Sequence, residues 1–80
     1  MIIDLILDRK DGKPYNAKSF YNSIIDYSQT FPEIAFPIAE ALDNGNNADV
    51  KRQLNDYLYI NGYKNKSIFD YVNSVDWLDL

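Results

Sequence analysis

The sequence predicts a small, mainly α-helical domain, a compact bundle of four to five short helices. Two observations point there. Apolar residues recur at three- and four-residue steps in several segments that open on helix-start signals, and turns rich in Asn and Gly join those segments over short distances. Eighty residues, 1–80, suit one domain. That is near the smallest size at which a hydrophobic core holds without covalent or metal staples. With no Cys there is no disulfide, so packing alone must supply the stability. Seven Tyr, four Phe and one Trp provide large apolar area with few rotamers to freeze.

The N-terminal run Ile2-Ile3-Asp4-Leu5-Ile6-Leu7 has two readings. Its apolar spacing, with Asp4 and Asp8 outward, fits a helix ending before Gly12. Its β-branched content fits a buried strand, and Asp11-Gly12 resembles a hairpin turn. No second convincing strand exists to pair with it, so the helix is favoured, with an extended arm on an all-α core as the alternative. The run carries a carboxylate and no basic leader or small-residue cleavage site, unlike a signal peptide. It is also far shorter than the roughly 20 residues that cross a bilayer. A cytoplasmic protein is the expectation, and the missing Cys agrees with a reducing compartment.

Asn16 is placed to cap a helix running from Ala17 to about Ser28, with Phe20, Tyr21, Ile24 and Ile25 as its buried stripe. Thr30-Phe31-Pro32-Glu33 has the form of a capping box with Pro in the first turn, opening a helix in which Ile34, Ile38 and Leu42 line up. Pro37 predicts a kink at Phe36 or a division into two short helices. Asn47 is the expected cap of the next helix, with Asp49 in its first turn and Val50, Leu54, Tyr57 and Leu58 inward. Gly62 is the natural left-handed terminator. Ser67 and Asp70 form another capping box, before a stripe of Ile68, Tyr71, Val72 and Val75 that leads toward Trp77 and Leu78.

Charge is arranged in blocks along the chain, with a net of −4. From Ser19 to Val50 there is no Lys or Arg, while Asp26, Glu33, Glu40, Asp43 and Asp49 contribute −5. The tail from Ser67 adds Asp70, Asp76 and Asp79, again without a cation. Lys51, Arg52, Lys64 and Lys66 against Asp56 make residues 51–66 the most basic block, at +3. Such segregation repels phosphates and attracts basic surfaces. Glu33 and Glu40 lie seven apart, about two turns or roughly 10.5 Å along a continuous helix. Asp26 precedes Glu33 by the same interval, and Asp49 and Asp56 repeat it. Rows of this kind can imitate a polyanion; the plainer alternative is a solvated face that keeps a small domain in solution.

Among the tyrosines, positions 15, 27, 59 and 63 fall outside the inner stripes and are candidate surface aromatics, a type enriched at interfaces. Tyr27 beside Asp26 is the strongest of them. The candidate partner-binding set is therefore Asp26, Tyr27, Glu33, Glu40, Asp43, Asp49, Asp70, Asp76 and Asp79. The basic residues form a minor face, expected to pair with Asp49 and Asp56 on the same helix.

Reaction chemistry finds little support. Without His or Cys, the usual zinc ligands, imidazole base and thiolate nucleophile are missing. The stretch from Asp43 to Asp49 only superficially resembles a calcium loop, because the sixth position is Ala48 and the twelfth is Leu54. No phosphate-binding or nucleophile motif occurs. A non-enzymatic binding protein with no cofactor and no metal site is the expectation.

In general character this small, acidic, Tyr- and Asn-rich, Cys-free chain resembles proteins of phages and mobile elements, including anti-CRISPR inhibitors. The resemblance rests on the Ser19–Val50 acidic block, the acidic end from Val75 to Leu80 and the lack of enzyme motifs, with no diagnostic motif. It implies a stoichiometric inhibitor that occupies the nucleic-acid groove of a CRISPR-associated nuclease complex. The competing expectation is a helical protein–protein adaptor that binds through apolar and Tyr surface.

Overall fold

Asparagine side chains open three of the helices in the computed structural model, which describes residues 1–12 and 16–79. The described residues form α1 (Ile2–Lys10), α2 (Ala17–Ser28), α3 (Pro32–Asp43), α4 (Asn47–Ile60) and α5 (Lys66–Ser74), with no strand among them. The mainly α bundle is thus realised, and the N-terminal run is helix. Ile2, Ile3 and Ile6 share its buried side while Asp4 stays exposed. Lys13, Tyr15 and Leu80 lie outside the described residues.

At α2 the cap is reciprocal. Asn16 Oδ1 accepts from the Ser19 N–H at 2.8 Å, and the Asn16 N–H donates to Ser19 Oγ at 3.3 Å. The other predicted starts need correction. Asn46, not Asn47, caps α4, accepting from the Asp49 N–H at 3.2 Å. Asn65, not Ser67, caps α5, accepting from the Ser67 N–H at 2.9 Å. In both cases the preceding Asn holds extended backbone and reaches the free N–H groups first. The box proposed for Thr30 and Glu33 does not form, because Thr30 belongs to the end of α2. Its N–H donates to the Tyr27 carbonyl at 3.1 Å, and α3 begins after Phe31 without a side-chain cap.

Pro37 lies inside α3 without dividing it. The ring removes the N–H that would reach the Glu33 carbonyl, but packing of Ala35, Ile38, Ala39 and Ala41 holds the helix through that gap. The predicted stripe shifts accordingly: Ile38 is buried, whereas Ile34 is 41% exposed.

Packing runs in a ring: α1 on α2, α2 on α3, α3 on α4, α4 on α5, and α5 back on α1. The radius of gyration, 11.4 Å, is close to that expected of one domain of this length, about 12 Å. Trp77 plugs the ring from the turn after α5 and is fully buried. Its ring lies 5.2 Å from Phe20 and meets Tyr71 edge-on at 6.3 Å. The Arg9 guanidinium sits 5.8 Å from its centroid. Its indole N–H donates to the Val72 carbonyl at 3.0 Å, so burial leaves no orphaned donor. No helix among the described residues is long and apolar enough to cross a membrane.

Candidate functional site

The seven-residue acid spacings of α3 and α4 become a shared groove because these two helices run antiparallel after a tight turn. Asn44 closes α3, and Gly45, at φ 63, provides the left-handed residue the reversal requires. Glu33, at the start of α3, lines a hollow with Asp56 and Ile60 near the end of α4. Glu40 lines the adjoining one with Asp49 and Arg52. Pro37 and Gln53 border both hollows, making them one continuous groove. Asp49 is paired with Arg52, Oδ1 to Nη2 at 2.9 Å. Glu33, Glu40 and Asp56 have no ion pair among the described residues and face solvent.

An apolar cleft of about 250 Å³ adjoins the Glu33 end of this groove, lined by Tyr27, Phe31, Ile34 and Tyr57 with Met1 and Ile2. Its neighbourhood carries much of the exposed apolar surface: Phe31 at 47%, Met1 at 58% and Ile60 at 81%. Inside, the Ile3 N–H donates to the Tyr57 hydroxyl at 3.1 Å. Burial pushes the Tyr57 phenol above its ordinary pKa, against a smaller lowering effect of that hydrogen bond. The Tyr27 hydroxyl accepts from the Met1 amine, which makes Tyr27 a half-buried wall rather than a free surface ring.

The remaining candidate residues lie apart from the groove. Asp26 is exposed on α2. Asp43 accepts a hydrogen bond from Tyr21, which raises that phenol's pKa, in a hollow shared with Lys18 and Leu78. Asp70 is on α5, bound to Lys66 Nζ at 3.0 Å. Asp76 accepts from the Leu78 N–H at 3.0 Å and thereby shapes the turn that carries Trp77, while Asp79 is exposed. Of the other candidate surface aromatics, Tyr59 is 81% exposed and Tyr63 is half-buried.

Asp56, Phe31, Ile34 and Ile60 enter the site without having been selected from the sequence. Asp56 stands seven residues after Asp49, as read from the sequence, but its expected pairing with a cation of the same helix does not form among the described residues, whereas that of Asp49 does. The apolar three carry no sequence signal, since the exposure of Phe31 and Ile34 at the start of α3 and of Ile60 at the end of α4 depends on how these helices pack. Among the described residues no cluster of three or more potential ligands could hold a metal ion. Comparison with known proteins finds no matching family model, no similar curated protein and no similar solved structure.

Proposed function

We propose that this protein acts by binding, and that the acid-lined α3–α4 groove docks on a basic surface of a larger protein. A stoichiometric inhibitor would use such a face to occupy a nucleic-acid groove. A CRISPR-associated nuclease complex is the target the sequence resemblance implies. One observation carries the reading: Glu33 and Asp56 border one end of the groove and Glu40 and Asp49 the other, and three of these four carboxylates have no ion pair among the described residues. Opposite fields steer encounter and weaken as salt rises, since the screening length falls to about 8 Å at physiological ionic strength.

The test is the combined change Glu33→Lys, Glu40→Lys and Asp56→Lys, with Asp43→Lys as control. All four side chains are exposed, so the helical spectrum is expected to stay intact. The triple variant should lose capture of the partner from host extract, and capture by the unmodified chain should fall as salt is raised. Capture that survives both manipulations rejects the acidic docking face.

The adaptor reading is favoured by a separate observation, the exposed apolar surface at Phe31, Ile34 and Ile60. It predicts a complex that persists at high salt and is lost when those side chains become polar.

A further inference from the structure

The apolar cleft and the acidic groove are parts of one surface. Ile34, Tyr57 and Asn61 line both the cleft and the Glu33–Asp56 hollow. We infer that the cleft receives one apolar side chain of a basic, amphipathic segment of a partner protein, whose flanking cations bond to Glu33 and Asp56. The inference rests on the proposed acidic docking face and adds to it the chemistry of the segment that docks.

Size argues for a side-chain anchor. At about 250 Å³ the cleft is smaller than the roughly 300–1,000 Å³ of small-molecule sites. It suits the single buried anchor on which protein interfaces concentrate their energy. Charge selects the occupant. Among the described residues no Lys or Arg lines the cleft or the Glu33–Asp56 hollow, and the Met1 ammonium at the cleft is paired with Asp4. A second copy of the chain would set these carboxylates against a molecule of net charge −4, whereas a cationic segment neutralises them. Asn61 adds a polar contact. Its Nδ2 donates to the Tyr57 carbonyl at 2.7 Å, leaving Oδ1 as an acceptor for an incoming donor.

Three short synthetic peptides test this: an amphipathic Leu/Lys helix, a Ser/Lys peptide of equal charge, and a Leu/Glu helix, each titrated while backbone amide resonances are followed. The Leu/Lys peptide is expected to bind about tenfold more tightly than Ser/Lys, as burial of one apolar side chain implies, and to shift the Ile34, Tyr57 and Asn61 amides. Ile34→Ser, at a partly exposed position, should erase that difference. Equal binding of the two basic peptides, weakened together by Glu33→Lys and Asp56→Lys, overturns the anchor while sparing the acidic docking face. If neither basic peptide binds, or Leu/Glu binds best, both readings fall. A concentration-dependent dimer abolished by Ile34→Ser overturns the inference in favour of a second copy of this chain.

Discussion

Asn47 holds Trp77 in place across the bundle: its Oδ1 accepts the Trp77 N–H at 2.8 Å, while its Nδ2 donates to the Val75 carbonyl at 3.2 Å. One amide in the first turn of α4 thus satisfies two polar groups of the extended link that follows α5. The largest aromatic of the core is positioned by a residue thirty places away in sequence.

Asn47→Ala leaves that donor and acceptor without their partner, which costs about 1–3 kcal/mol. For a domain of this size each kcal/mol corresponds to roughly 4–8 °C in melting temperature. Thermal unfolding followed by circular dichroism is expected to show the drop, and Trp77 fluorescence should shift to the red as its turn loosens. Asn47→Asp keeps the acceptor for the Trp77 N–H and should lose less.

Pro37→Ala should stabilise the protein. The restored N–H can reach the Glu33 carbonyl and the ring no longer crowds the preceding turn, while the freer unfolded chain offsets part of the gain. The expected net is about 1–2 kcal/mol, read as a higher urea midpoint with an unchanged slope. A fall in the midpoint would mean that the ring itself packs usefully at the groove.

Alkaline pH should destabilise the fold through its tyrosines. Burial raises the pKa of Tyr57 and of Tyr71, in the latter against the lowering effect of Arg9, and the hydrogen bond to Asp43 raises that of Tyr21. A phenol whose pKa is higher when folded binds its proton more tightly in that state. Its contribution is complete below the unfolded value near 10 and is lost as pH climbs through the raised folded value. Stability is therefore expected to hold from neutral pH to about 10 and then decline. Comparing Tyr57→Phe and Tyr71→Phe with the parent checks this, since each variant should flatten the decline.

Arg52→Gln separates stability from binding. Its pair with Asp49 is solvent-exposed, so stability should change by less than about 1 kcal/mol. Arg52 is the one Lys or Arg lining the groove among the described residues, and its removal makes that face more negative. Affinity for a Ser/Lys peptide should rise at low salt, with the gain fading at high salt.

Helices α2 and α4 were legible because their signals are local. Asn16 caps as its position in the chain requires, and Val50, Leu54, Tyr57 and Leu58, spaced for one helix face, are all buried. Helix α3 resisted that reading, since Ile34, Ala35, Phe36, Ile38, Ala39, Ala41 and Leu42 place apolar groups nearly all round it. Small residues let backbones approach closely, so packing on α2 and α4 took Ala35, Ala39 and Ala41 inward and left Ile34 and Phe36 exposed. The same choice created the apolar part of the candidate site.

By itself the sequence determined that this chain is helical, where most of its helices run and which carboxylates fall two turns apart, because caps and apolar periodicity act between residues close in the chain. The tertiary structure alone decided that the Glu33–Glu40 row faces Asp49 and Asp56, that Asp43 and Asp70 lie elsewhere, and that Trp77 closes the core. Those outcomes depend on how whole helices pack against one another, a balance of shape and buried area that no short stretch of sequence contains.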